Sequence, residues 1–559
     1  MPDLATSNPT QFRILVCAVC TLLARMVNGD GMLNLLQEMH DESGVYSKGG
    51  FGLDCAYLVD GLDYPGSPDD TQPLHYRPSP IPETSNILTT DIGIDPKVIE
   101  SLVFAEVSSA HAIDLHTHLL PPSHGPLCLW GIDELLTYHY LVAEYFITAP
   151  ASMSPEVFYA LDKKKQADII WKALFLDRLP VSEACRGIVT TLKAFGLGEQ
   201  LKTRDLDAVR EYYESFRSKD LEGAEKFSAK VFECAGVRYA IMTNIPFDAN
   251  EAKYWRPKRK EYPDQFRSAL RVDPLLAGDR ETIEKALRAS GYEVTLEGAR
   301  KYLRDWCDTM KPEYMMASTP HNFVLSETKG TLSGIVKTGV NPDALRQPFA
   351  FVGTSGVGCN PDCDPEEENT ASIIDENSDF LSEVLMKICE ERDLPVALKI
   401  GAHRGVNPEL LSAGDGVVAF ADTSVLARLC SRFPKVRFLA TFLSKNNQHE
   451  ACVLASKFRN LHIYGCWWFC NNPSIITEIT TMRVEMLGSA FTAQHSDARV
   501  LDQLIYKWSH SRAVIAKVLS KEFTKLVISG WSLTRGELRR EVERLFGGSY
   551  EEFMAKSLK

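Results

Sequence analysis

Two histidines one residue apart, His116 and His118, end the apolar run AIDLHTH at residues 112–118. Successive side chains of an extended strand point to opposite faces, so the two imidazoles project one way and Thr117 the other. Neutral imidazoles so placed suit a divalent cation, zinc by ligand type; the competing reading is a hydrogen-bonded pair at a strand end. Far along the chain, HSDAR supplies Asp497, which could bind metal or carry a proton, and Arg499, a two-pronged donor suited to a substrate carboxylate. Taken alone, Asp497 reads as the N-cap of the helix that follows.

The elements that must position these residues form a series. Short apolar runs alternate with helical stretches from Ala112 onward, the pattern of a parallel α/β architecture. The expected strands are 112–118, 238–244, 266–272, 314–320, 396–402, 437–443, 461–469 and 490–498. Eight strands fit a (β/α)8 barrel, whose active sites lie at the C-terminal strand ends. A further strand at 348–356 would leave a doubly wound sheet open. The stretch from about 132 to 234 is far longer than a crossover needs, so it reads as an inserted helical subdomain. Helices are also expected from about 501 to 559, with Gly547 and Gly548 closing the last of them.

The 559 residues carry a net charge of −13, which argues against nucleic acid or an anionic membrane as the partner while leaving room for a small acidic substrate. Fourteen scattered cysteines read as reduced thiols of a cytoplasmic protein. Cys359 and Cys363, in CNPDC, lack a second pair at zinc-finger spacing and read as an acidic loop. Residues 1–90 form a separate, partly irregular extension punctuated by Gly, Pro, Asp and Ser. Within it, the apolar segment Phe12–Val27 reads as an amphipathic or buried helix, with a cleaved targeting segment as the competing reading.

From about Ile113 to Phe553 the chain resembles the uronate (glucuronate) isomerase family of the amidohydrolase superfamily. The ordered blocks that carry the resemblance are DLHTHLLPP, AGVRYAIMTNIPFD, FRSALRVDP, LPVALKIGAHRGVNP, YGCWWF and SDAR. The resemblance implies a distorted (β/α)8 barrel that interconverts hexuronic and ketouronic acids with a divalent metal. It implies His116, His118 and Asp497 as metal ligands, Asp497 also as proton carrier, and Arg499, Arg271 and Arg404 on the substrate. Tyr140 would contact substrate, and Trp467 and Trp468 would shape the pocket. Because alternation on a strand would point the two tryptophans to opposite faces, at least one is expected to pack in the core.

Three positions depart from the family pattern. The arginine of its D-H-Y-K-W-R segment is absent from Tyr138-His139-Tyr140-Leu141-Val142-Ala143, and the second strand ends in Thr243-Asn244 without an acidic pair. Its L-H-I-G-A histidine is Lys399 here. A lysine there can pair with a carboxylate or act as a base when burial depresses its pKa, but as an ammonium it cannot ligate metal. The leading expectation is a uronate isomerase-like enzyme acting on a hexuronate such as glucuronate. The alternatives are a metal-dependent hydrolase or lyase acting on another small carboxylate, and a barrel serving only as a binding module. The oligomeric state stays open.

Overall fold

The computed structural model describes residues 96–244, 249–256, 261–328, 331–336 and 379–558. The extension at 1–90 with its Phe12–Val27 segment, the CNPDC loop and the additional strand at 348–356 lie outside the described residues.

Strands β1 (Ala112–Asp114), β2 (Val237–Ile241) and β3 (Phe266–Arg267) form one parallel sheet in that order. A second sheet runs β4 (Leu270–Arg271), β5 (Met315–Pro320), β8 (Val396–His403), β10 (Phe438–Phe442) and β11 (Leu461–Ile463), all parallel. Between these, β6 (Phe323–Thr328) and β7 (Thr331–Val336) make an antiparallel hairpin, and β9 (Val417–Val418) adds antiparallel to β8. Seven residues of β8, Val396–Ala402, are buried, the near-continuous burial expected of a strand covered on both faces.

Two expected strands behave differently from the sequence pattern. The run 266–272 breaks at Ser268 and Ala269, so that β3 pairs with β2 while β4 pairs with β5. A parallel bridge between Asn244 and Leu270 spans the break. The run 490–498 is not a ladder: Thr492 makes one parallel bridge to Tyr464, and then the backbone turns at Asp497, whose φ is +52°. From that turn Asp497 N donates to His116 O at 3.1 Å, and His118 N donates to Ala498 O at 2.7 Å. These pairings define an α/β fold with parallel sheets.

Helices fill the chain between β1 and β2, from Ile132–Leu136 to Asp220–Ala235. Several begin at side chains that satisfy the exposed first-turn amides: Ser154, Asp162, Ser182 and Asp205 each accept from the backbone amide three residues on. This helical stretch packs on the long helix Gln503–Ile528. His510 of that helix contacts Thr190 Oγ1 at 2.8 Å through Nε2 and Glu183 Oε1 at 2.5 Å through Nδ1. Arg512, one turn from Trp508, donates to the carbonyls of Val107, Ala110 and Gly236, closing the ends of two helices that lead into β1 and β2.

Gly547 and Gly548 do not end the final helix. They lie in the break between Arg535–Glu543 and a further helix, Ser549–Ala555. Gly547 has φ +132°, and a Cβ there would lie 2.7 Å from Ile113 of β1, so conformation and space both demand glycine. Among the described residues no helix is long and apolar enough to cross a membrane.

Candidate active site

The site forms where β1, β8 and the 493–498 segment end side by side. His116 and His118 follow β1, Lys399 is in the middle of β8, and the turn at Asp497 aims its carboxylate at all three. Oδ1 of Asp497 lies 3.1 Å from His116 Nε2, 3.5 Å from His118 Nε2 and 3.1 Å from Lys399 Nζ. Lys399 Nζ is also 2.5 Å from His116 Nε2. The ligand atoms of His116, His118 and Asp497 all lie within 4.8 Å of one another. Asp497 does not cap the following helix; Asp502 occupies that N-cap position, its carboxylate accepting from Gly131 N at 3.0 Å.

The protonation states follow from burial and charge. Burial, reinforced by the Lys399 charge, lowers His116 well below its ordinary pKa, and burial brings His118 down to about 4. Both imidazoles are therefore neutral at pH 7, with lone pairs to offer. Burial works against ionising Asp497, yet Lys399, His116 and His118 together hold it well below the usual carboxylate range. Burial lowers the Lys399 ammonium to about 8, with Asp497 opposing the shift. Two neutral imidazoles and an ionised carboxylate converging on one volume are a donor set that fits a divalent cation.

Beside this cluster the wall is aromatic and the charge is positive. Trp467 and Trp468 pack with Ala402 and Leu443 in one apolar group that Tyr140 and Phe469 join. The strand-alternation argument does not apply to the two tryptophans, because β11 stops at Ile463 and Trp468 opens a 3-10 turn with φ +48°. Each carries a cation over its ring: Lys399 Nζ is 4.7 Å from the Trp467 centroid, and the Arg404 guanidinium 4.9 Å from that of Trp468. Burial and then the charges of Arg499 and Lys507 lower His139 to about 3, and burial holds the Tyr140 hydroxyl well above its ordinary value. His139 Nε2, Tyr140 Oη and Trp468 Nε1 are buried without a hydrogen-bond partner among the described residues. Such atoms are what a polar ligand would satisfy.

The structure sorts the arginines. Arg271 donates in two-pronged fashion to Asp273, Nε to Oδ2 at 2.7 Å and Nη2 to Oδ1 at 3.1 Å. Arg404 pairs with Asp415. Partial burial lowers the pKa of Arg499, and the Glu134 carboxylate opposes that shift.

Sequence reasoning passed over four groups. His139, read only as part of a departed motif, has its free nitrogen among the aromatic side chains. Asp114, two residues before His116, accepts from His116 N, Ser496 N and Trp508 Nε1. Lys507 lies on the buried stripe of the long helix with Leu504, Trp508 and Ser511, and a lysine on such a stripe is a sequence signal of a buried polar role. At the end of β2, Asn244 donates to the buried carboxylate of Glu251 at 2.9 Å, so an acidic group missing from the strand arrives from the next helix.

A parallel α/β scaffold whose strand ends gather two neutral histidines, an ionised aspartate and a lysine beside a basic, aromatic pocket has the form of an enzyme site for a small polar anion. The structure aligns with a uronate isomerase from Bacillus halodurans C-125 at a TM-score of 0.69 and 39% identity, covering 83% of this chain and 97% of that one. The chain belongs to the uronate isomerase family. The same fold is shared with a glucuronate isomerase from Caulobacter crescentus, at TM-score 0.59, 14% identity and coverage of 84% and 96%. A uronate isomerase from Thermotoga maritima also shares it, at TM-score 0.54, 17% identity and coverage of 80% and 95%. No protein-family model and no curated protein sequence matches the chain.

Proposed function

We propose that this chain is a uronate isomerase that interconverts an aldohexuronate such as glucuronate with its ketouronate. The observation that carries the reading is the 39% identity to the Bacillus halodurans uronate isomerase across 83% of the chain. The positive pocket within a chain of net charge −13 supports an anionic substrate, because local cations in a low-dielectric cleft outweigh distant surface charge. His116, His118 and Asp497 would hold a divalent cation, zinc by ligand type, which when bound supplies Lewis-acid polarisation of substrate oxygens.

Aldose–ketose isomerisation moves one proton between C2 and C1 and another between O1 and O2, through an enediolate whose charge must be stabilised. Asp497, ionised and buried, is assigned the carbon-bound proton, taking it from one carbon and returning it to the other. Tyr140, whose hydroxyl burial keeps protonated, is assigned a hydrogen bond to a sugar oxygen as negative charge develops there. Lys399, with its pKa near 8, is assigned the oxygen-bound proton, which it can hold or release near neutrality. Arg499 is assigned the substrate carboxylate; Arg271 and Arg404 are paired with Asp273 and Asp415, so the net positive charge near the site comes from Lys399, Lys507 and Arg499. Trp467 and Trp468 exclude water from it. We also read the strand order as a closed (β/α)8 barrel, a reading supported by the bridges Asn244–Leu270 and Tyr464–Thr492 and by the bonds joining residues 497–498 to 116–118.

The test combines metal analysis of the purified protein with NMR of glucuronate incubated with it. Conversion that disappears in His116→Ala, His118→Ala and Asp497→Asn variants is the expected result. Stoichiometric zinc with no turnover of glucuronate or galacturonate would overturn the isomerase assignment in favour of hydrolysis on the same scaffold.

A further inference from the structure

The 493–498 segment carries the Asp497 carboxylate and belongs to no strand ladder; backbone bonds tie 497–498 to 116–118 and Asn471 Nδ2 donates to Ser496 O at 3.1 Å, and the rest of its hold comes from other side chains. Its backbone is also disfavoured: few residues other than glycine adopt the left-handed region without support from their neighbours, and Asp497 has φ +52°. Strain of this kind persists only where neighbours over-determine it.

The long helix supplies several of those neighbours from one face. Lys507 Nζ donates to Ser496 O at 2.7 Å, on the residue immediately before the strained turn. Trp508 Nε1 donates to Asp114 Oδ2 at 2.8 Å, and Asp114 Oδ1 accepts in turn from Ser496 N at 3.0 Å. Gln494 Nε2 donates to Ser511 Oγ at 3.1 Å. Of these, Lys507 alone brings a charge. Its ammonium also lies 5.6 Å from the ring centroid of Tyr140, which belongs to the helical stretch between β1 and β2 and stands next to His139. One side chain, 3% exposed, therefore reaches both the backbone that aims the carboxylate and the ring of Tyr140.

We propose that Lys507 is a positioning residue of the active site: by bonding the Ser496 carbonyl and facing the Tyr140 ring, it fixes the distance between the Asp497 carboxylate and the Tyr140 hydroxyl. The proposal rests on the isomerase reading above for its kinetic consequence, and on geometry alone for its structural one. Lys507 touches no reacting atom in this scheme. It acts through Asp497 and Tyr140, as outer residues act on metal ligands.

The test compares Lys507→Met, which removes donor and charge, with Lys507→Arg, which keeps both. For Lys507→Met we expect zinc affinity, measured against a chelator, to fall about 10- to 100-fold. We expect kcat for glucuronate to fall at least as far as kcat/KM, because alignment of the reacting groups is what is lost. In a metal-free crystal structure of the variant, Asp497 should leave the left-handed region. Lys507→Arg should recover affinity and kcat to within about threefold of the parent. If Lys507→Met does not fold, Lys507→Gln, which can still donate but carries no charge, takes its place in the same measurements. A folded Lys507→Met with unchanged Asp497 geometry and unchanged kcat would overturn the proposal. A parent protein that binds no zinc and turns over no uronate would overturn the functional reading instead, and the Asp497 backbone in the variant would still decide the role of Lys507.

Discussion

Lys399 reaches into the volume that His116 offers to a ligand: Nζ lies 2.5 Å from the imidazole Nε2. An ammonium at that distance uses the lone pair that a cation would need, and its charge opposes a second positive charge at the same Asp497 oxygen. A lysine in place of the family's histidine thus substitutes a tethered cation for a donor.

The first prediction follows from that competition. Replacing Lys399 with methionine keeps the stem and removes the charge, so zinc affinity at pH 7 is expected to rise by about tenfold or more, in line with one charge–charge repulsion of about 1.4 kcal/mol or more. Turnover is expected to fall, because the oxygen-bound proton loses its carrier. Chelator competition and the NMR assay measure the two effects separately. Weaker zinc binding in Lys399→Met would mean that the lysine helps to hold the ion.

The second concerns stability and pH. Asp502 is wholly buried with Oδ2 bonded to Gly131 N, and burial raises its pKa to about 6 from an ordinary 3.8. A carboxyl whose folded pKa is raised favours folding fully below its unfolded value, and that contribution is lost as pH rises through the folded value. The window is therefore from about pH 4 to 6. Asp502→Asn keeps an oxygen for Gly131 and removes the charge, so the variant is expected to be more stable than the parent at pH 7.5 by up to about 3 kcal/mol. At pH 4 the difference should largely vanish. Thermal denaturation at the two pH values checks the sign, and equal melting shifts at both would refute the assignment.

The third concerns the break between the last two helices. In Gly547→Ala the new methyl would meet Ile113 at 2.7 Å on a backbone with φ +132°, and neither side can give way without moving β1. A loss of about 2–4 kcal/mol is expected from strain and overpacking together. Since Ile113 adjoins Asp114, zinc affinity should fall along with stability. A variant with normal denaturant midpoint and normal zinc binding would show that the contact relaxes freely.

The parts of the site that reside in local pattern were legible in the sequence. His116 and His118 lie beyond β1, which ends at Asp114, so strand alternation does not place them; both rings nevertheless approach Asp497. The periodic stretch between the first two strands read as helical, and helices fill it. What failed depended on backbone irregularity. Alternation could not place Trp467 and Trp468, since the strand ends before them, and one apolar run at 266–272 hid two strands with different partners. Lys507 and Asp114 went unread for a different reason. Asp114 is bonded by the Ser496 amide 382 positions on and by the Trp508 indole, and Lys507 bonds a carbonyl on a turn that no local pattern announces; nothing in the residue types names such partners.

The bond from Ser496 to Asp114 joins residues 382 positions apart. At elongation rates of about 5–20 residues per second, a nascent chain exposes its two histidines roughly 20–75 seconds before the carboxylate segment is made. During that interval two of the three donor side chains exist without the third. The three donors can therefore meet only after residue 497 has been made, late in the synthesis of the chain.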